Sequence, residues 1–431
     1  MVITVIGFIL IAVLMFVLVR GKTTPIVAFI LLPTIAAFIA GYNLDEVGGF
    51  IKSGLSSMLT TASLFAFSIT FFSIMSDVGL FDPLINALTK RAKDSVFIVL
   101  LCVCATTFVA HLDGSGATTF LVVVPAFLPI CKKVGIRAEA LLCTMCGCYA
   151  VNNLLPWGGP TMRAASVIEQ DVGALYRYIM PSLAIILVLA VVLAWIVSRI
   201  EVRNGAGNME DQPINVSEPE ISEKKSHGAL FWINGLLTIL AFIALFTEIL
   251  PTNICFMIAS AIALLINFPD TKEQTSRLKS YAGQAMVMVM TLFAVGVFLG
   301  IMNNGGFIEA MATWLISLIP TALAPHAHWF LALFSVPMIM MLSTDAFYYV
   351  LLPIVLGVVI PYGADPTAIA ATFLVTATFG TAISPGVAAV YVGLGLADVD
   401  IGTHIKYSFK ILWPLSIMCL ILSTLIGVIK F

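Results

Sequence analysis

The chain has 431 residues, of which 60% are hydrophobic and only 10% charged, against roughly 25% charged in soluble domains; this excludes a soluble globular protein and describes a polytopic membrane protein. Its 21 basic and 23 acidic residues nearly cancel, to a net charge of −2, so it offers no basic surface for nucleic acid and no acidic tail for a partner. All eight cysteines lie in or at the edge of apolar runs, which excludes a secreted disulfide framework, and the close spacing of Cys143, Cys146 and Cys148 reads first as packing and only second as a metal site.

A helix needs about 20 apolar residues to cross a hydrocarbon core of about 30 Å. Such runs predict crossings at 2–20, 24–41, 55–76, 138–162 and 177–198, then at 229–248, 252–268, 283–302, 366–395 and 411–429. The first run carries no charge before Arg20, so it reads as a retained span and not as a signal peptide, which begins with a basic region. Two further apolar stretches, 95–134 and 326–361, break in the middle, at Asp113-Gly114-Ser115-Gly116 and at Ser343-Thr344-Asp345. Their entering legs hold 18 residues (Ser95 to Leu112) and 14 residues (Trp329 to Leu342), short enough to predict two helical hairpins that enter and leave on one side. Non-helical backbone at such a tip is tolerated where protein or a water-filled cavity surrounds it. Residues 199–228 form the one long polar stretch, with Glu201, Arg203, Asp211, Glu218, Glu220, Glu223, Lys224 and Lys225; it predicts a solvated linker.

Punctuation recurs across that linker in one order: Pro25 with Pro251, Phe81 with Phe307, Pro125 with Pro353, Pro156 with Pro385 and Pro181 with Pro414, at separations of 226, 226, 228, 229 and 233. The slow drift marks an internal duplication. With five crossings per half, the second copy is expected to lie inverted: a first repeat over 1–198, a cytoplasmic linker over 199–228 and a second repeat over 229–431. Placing the N-terminus outside puts 17 of the Lys and Arg residues on the inner side and 4 on the outer, as the positive-inside rule requires.

Charge at membrane depth is costly and marks a functional candidate. Asp113 and Asp345 are expected at symmetric hairpin tips as metal or proton ligands, with helix capping as the plainer alternative. Gly114, Ser115, Gly116 and Thr118 at the first tip, and Ser343 and Thr344 at the second, leave backbone N–H groups at helix starts where carboxylate oxygens bind. The helices that follow are also broken, at Asn152-Asn153 with Pro156-Trp157-Gly158-Gly159-Pro160-Thr161, and at Thr381 with Ser384-Pro385. Proline frees backbone groups there, which makes Asn152, Asn153, Gly158, Gly159, Thr161, Thr381 and Ser384 candidates for substrate binding; a simple packing kink is the alternative. Arg163 either binds a substrate carboxylate bidentately or anchors the outer interface. His111 is a proton carrier or a structural residue, Trp157 lines or packs the cavity, and Tyr348 and Tyr349 lie close enough to offer a hydroxyl to Asp345.

His111-Leu112-Asp113-Gly114-Ser115-Gly116-Ala117-Thr118-Thr119, Leu154-Leu155-Pro156-Trp157-Gly158-Gly159-Pro160-Thr161 and Ser343-Thr344-Asp345 together resemble the citrate–metal–proton symporter family of the ion transporter superfamily, over essentially the whole chain. The resemblance implies an all-α polytopic protein of the bacterial plasma membrane, with two inverted repeats of five crossings and one re-entrant hairpin each. It further implies a homodimer embedded in membrane lipid that takes up citrate complexed with a divalent cation such as Mg²⁺ or Ca²⁺, driven by protons, by an elevator motion, and has no permanent cofactor. The related divalent anion/sodium symporters carry Ser-Asn-Thr at both tips; this chain carries acid there instead, and sodium coupling does not transfer. A plain carboxylate or gluconate-like anion/proton symporter and a cation/proton antiporter are the alternatives; an intramembrane enzyme lacks a His-Glu-x-x-His or Gly-x-Ser-x-Gly motif. Electrostatics favours the complex: bare citrate facing both aspartates at about 5 Å would meet roughly 3 kcal/mol of repulsion per charge pair at an effective dielectric of about 20.

Overall fold

Lipid offers no hydrogen bonds, so each spanning segment must satisfy its own backbone, and this chain does so with helices throughout the described residues. The computed structural model describes residues 2–20, 23–92, 95–207, 228–247, 249–318, 320 and 323–431; most of the expected linker, 208–227, lies outside them.

The first half runs α1 (Val2–Val19), α2 (Pro25–Ile39), α3 (Leu44–Asp77) and α4 (Asp82–Arg91). The hairpin follows, made of α5 (Val96–Ala110), a 3-10 turn at His111–Asp113 and α6 (Gly116–Val134), and then α7 (Ala138–Asn152), α8 (Gly159–Val167) and α9 (Val172–Arg203). The second half repeats this order with α10 (Ala229–Thr247), α11 (Thr252–Asn267), α12 (Thr271–Asn304), α13 (Phe307–Leu318), a hairpin of α14 (Ala327–Ala332), α15 (Ser335–Ala346), a π-helical turn (Phe347–Leu351) and α16 (Leu352–Val359), then α17 (Pro366–Thr381), α18 (Ala388–Ala397) and α19 (Ile401–Leu425). Among the described residues, seven helical segments are long and apolar enough to cross a membrane, and further apolar helical stretches span 10–17 residues.

Helices α3 and α12 are both 34 residues long. The hydropathy reading started α3 at residue 55 because Asp45, Glu46 and Lys52 dilute its first turns. Those turns are fixed by a capping box instead: the Asn43 side chain accepts from the Glu46 amide at 3.0 Å, and the Glu46 carboxylate accepts from the Asn43 amide at 2.8 Å. Both long helices end before a left-handed glycine, Gly79 at φ 74° and Gly306 at φ 65°, where a side chain would be strained. They cross at Gly54, Gly296 and Gly300. A Cβ on Gly54 would run into the Gly296 carbonyl, and one on Gly300 into the Phe50 carbonyl, so bare backbones make the contact.

The two crossings expected to be broken are each two helices. Residues 138–162 split into α7 and the start of α8, and 366–395 into α17 and α18, because the prolines stop the helix where the backbone turns into the interior. The first hairpin's legs are 18 and 19 residues and apolar enough to cross, so length does not distinguish re-entry there. Burial does bear on it: His111, Asp113 and Ser115 at the tip are only 5–8% exposed, enclosed by protein as non-helical backbone at depth must be. Hydrogen bonds join loop ends that the charge count assigns to one side. Arg277 donates to Asp77 at 2.6 Å, and Arg137 and Tyr407 donate to the fully buried Glu201 at 2.7 and 2.8 Å. On the opposite side Tyr42 donates to the Gly305 carbonyl and Thr367 to Gln170.

Candidate functional site

The two hairpin tips and the two helix breaks meet around one cavity of about 1090 Å³, of a size that holds a small-molecule ligand. Of the residues picked out by sequence, Gly114, Gly116, Asn152, Asn153, Gly158, Gly159, Arg163, Ser343, Thr344, Asp345 and Thr381 line it. Asp113, Ser115, Thr118, Thr161 and Ser384 do not.

The first tip is built by its own polar side chains. The Gly114 amide closes the 3-10 turn on the His111 carbonyl at 3.0 Å, and Asp113 Oδ1 accepts from the Ser115 amide at 2.8 Å, bridging Gly114 at φ 70°. Ser115, not Asp113, caps α6: its Oγ accepts from the Thr118 amide at 3.3 Å and from the Thr118 hydroxyl at 2.8 Å. The following helices pin the loop, with Trp157 Nε1 donating to the Leu112 carbonyl and Tyr149 to the Gly116 carbonyl, both at 2.8 Å. Trp157 also stacks on Phe242 at 5.4 Å and lies 4.9 Å from Phe72, so it both lines the cavity and packs against α3 and α10. His111 is held structurally, 2.8 Å from the Thr119 hydroxyl.

At the first break, Thr161 donates to the Asn153 carbonyl at 2.8 Å and Asn152 Nδ2 to the Phe108 carbonyl at 2.9 Å. Asn152 Oδ1 and Asn153 Nδ2 remain buried with no partner, as does the Thr381 hydroxyl at the second break. Buried polar atoms are nearly always hydrogen-bonded; among the described residues this acceptor, donor and hydroxyl belong to residues that line the cavity, although the atoms themselves are covered, which makes them candidate contacts for a polar ligand once the wall shifts. Ser384 instead supports the wall, donating to the Ile339 carbonyl at 3.3 Å and accepting from the Gly386 amide at 3.2 Å.

Arg163 is 8% exposed and donates from Nε to Asp345 Oδ1 at 2.8 Å, a partner that neither of its two readings named. It is the one lysine or arginine and Asp345 the one acid lining the cavity among the described residues. Gly159 makes room for it, since a Cβ there would come within 2.7 Å of Arg163 Nη1. The Tyr349 ring centre lies 6.0 Å from the guanidinium, while the Tyr348 hydroxyl is buried without a partner; no hydrogen bond from either hydroxyl to Asp345 is present among the described residues.

Two expectations change here. At the two tips the positive-φ residues are Gly114 (70°) and Ser343 (67°), 229 residues apart and in step with the proposed duplication. Asp113 precedes the first and Asp345 follows the second, so the aspartates are not equivalent. Asp113 faces a separate cavity of about 280 Å³, with Ser76, Asp82, Asn86 and Thr118. The like-charge argument against bare citrate therefore fails as framed, because Asp345 is neutralised by Arg163 and Asp113 lies outside the large cavity.

One part of the wall was invisible in sequence: Met15, Phe16, Leu18, Thr23 and Pro25 from α1, α2 and their connection, and Met288 from α12, close the cavity, and apolar residues in an apolar chain carry no signal. No group of three or more His, Cys, Asp or Glu side chains able to hold a metal exists among the described residues, and Cys143, Cys146 and Cys148 are buried, Cys146 donating to the Ala382 carbonyl.

Comparison with known proteins agrees with this architecture. The citrate transporter family profile, CitMHS, matches residues 1–377. A citrate transporter of Bacillus subtilis (strain 168) is 33% identical over 427 residues, and a Mg(2+)/citrate complex secondary transporter of the same organism is 30% identical over 430; each alignment covers 99% of both chains. The crystal structure of the Alcanivorax borkumensis YdaH transporter shares the fold, with a TM-score of 0.60 at 16% identity over 89% of this chain and 88% of that one. The chain is thus a multi-pass protein of the bacterial plasma membrane and belongs to the citrate transporter family.

Proposed function

We propose that the protein is a secondary active transporter that takes up citrate as its complex with a divalent metal ion, coupled to protons. The observation that carries this reading is the set of unmatched polar groups around one cavity: Asn152 Oδ1, Asn153 Nδ2 and Thr381 Oγ1 without partners, beside the buried Arg163–Asp345 pair. Citrate offers carboxylates to Arg163 and Asn153 and a hydroxyl to Asn152 or Thr381. Charged guanidinium–carboxylate bonds are the strongest of these, at about 1.5–3 kcal/mol each. Asp345, with the Ser343, Thr344 and Thr381 hydroxyls lining the same wall, presents the oxygen ligands that Mg²⁺ or Ca²⁺ prefers. One carboxylate is too few to hold the metal alone, so the metal arrives with its anion. Similarity to a Mg(2+)/citrate complex secondary transporter supports the same substrate.

Asp113, in its own cavity, is the proposed proton carrier. The two halves, 1–198 and 229–431, are proposed as inverted repeats; hairpins and broken helices move as an elevator against the glycine-packed α3–α12 crossing, which serves as the scaffold of a homodimer. The test is citrate uptake into proteoliposomes under an inward proton gradient, with and without divalent metal. Uptake that requires metal supports the reading, and equal uptake in excess chelator replaces it with a plain carboxylate–proton symporter.

A further inference from the structure

We infer that the Arg163–Asp345 ion pair is a stand-in for the substrate: loading exchanges it for two new pairs, carboxylate with Arg163 and metal with Asp345, so that neither ion can bind productively alone. This rests on the metal–citrate reading. Arg163 comes from α8 in the first half and Asp345 from the second hairpin tip, 182 positions later, and both line the large cavity. The pair is joined by one contact, Nε to Oδ1 at 2.8 Å. The other hydrogen bond of the guanidinium among the described residues is Nη2 to the Met288 sulfur at 3.9 Å, a weak acceptor, and the Tyr349 ring lies 6.0 Å from it, so the planar fork that binds a carboxylate bidentately is left largely unused.

The arrangement accounts for obligatory pairing. A free anion on Arg163 would leave the Asp345 carboxylate, whose side chain is 19% exposed, without its cation. A free cation on Asp345 would strand a guanidinium that is 9% exposed. Either event leaves a largely buried charge uncompensated, the costly half of breaking such a pair. The complex brings both charges at once and leaves none stranded. The tip is also poised to move in the exchange: Ser343, two residues before Asp345, has φ 67° and ψ 163°, a region nearly reserved for glycine that persists only when surrounding contacts hold it, and the Asp345–Arg163 bond is one of those contacts.

The test is thermal stabilisation of the purified full-length protein in detergent by MgCl2 alone, by citrate in excess chelator and by both together. Wild type should respond to the mixture and to neither component alone. Asp345→Asn should gain at least tenfold in apparent affinity for metal-free citrate, and Arg163→Gln should become responsive to MgCl2 without citrate. If both variants simply lose the response to the mixture, with no gain for the single ion, the exchange is wrong while the metal–citrate reading stands. Should the single variants not fold, the double variant Arg163→Gln/Asp345→Asn leaves no lone buried charge and decides the matter: loss of the response to every combination, with both charged ligands gone from a folded protein, supports the exchange, and a response to the mixture like that of wild type overturns it. A wild-type protein indifferent to every combination removes the reading on which the inference rests, and the inference with it.

Discussion

Asp113 uses one carboxylate oxygen to accept the Ser115 amide at 2.8 Å and faces the smaller cavity beside Asp82 and Asn86. Asparagine retains that acceptor, so Asp113→Asn keeps the turn and the Ser115 cap while removing the proton-binding group. The expected outcome is unchanged stabilisation by metal citrate together with uptake that no longer responds to an imposed pH gradient, falling to the gradient-free rate. A variant with the wild-type pH profile would make Asp113 a structural residue and move the proton elsewhere. Sequence singled out both aspartates because charge at membrane depth stands out against an apolar background. It could not show that they face different cavities. Asp113 lies one residue before its positive-φ hinge, Gly114, and Asp345 two residues after its own, Ser343, and a shift of a few positions around such a hinge turns a side chain to the other face. Nor could it show the Arg163–Asp345 bond, since nothing in a single sequence couples positions 182 apart.

The hairpins, the broken helices and the long crossings were legible because proline and glycine interrupt apolar runs at fixed places, Pro156 and Pro385 above all. What escaped was the depth of α3, hidden by Asp45, Glu46 and Lys52, and the closeness of α3 to α12, which depends on glycines that hydropathy does not weigh. The crossing makes a contrast that can be measured. A Cβ on Gly54 meets the Gly296 carbonyl and the Gly300 backbone, whereas one on Gly48 meets nothing within 4 Å. Gly54→Val should therefore cost about 1–3 kcal/mol or more by overpacking, read as a lower midpoint of thermal unfolding in detergent. Gly48→Ala, on the open face of the same helix, should be neutral or gain about 0.5–1 kcal/mol. Equal midpoints for the two variants would mean that the crossing does not hold the scaffold.

For the molecule as a whole, family membership and fold are established by a profile over residues 1–377 and by relatives aligned over 99% of their length, while the form in which citrate crosses is a claim about charge. The cavity holds one guanidinium and one carboxylate already in contact, and the proposed metal–citrate complex would supply a partner to each. The most direct measurement is simultaneous flux: proteoliposomes given citrate and a divalent metal carrying distinct radiolabels, with initial uptake of each followed across metal concentrations. The account predicts that the two labels enter together in equal molar amounts and that chelating the metal stops the entry of citrate. Citrate entering at full rate while the metal label stays outside would contradict it.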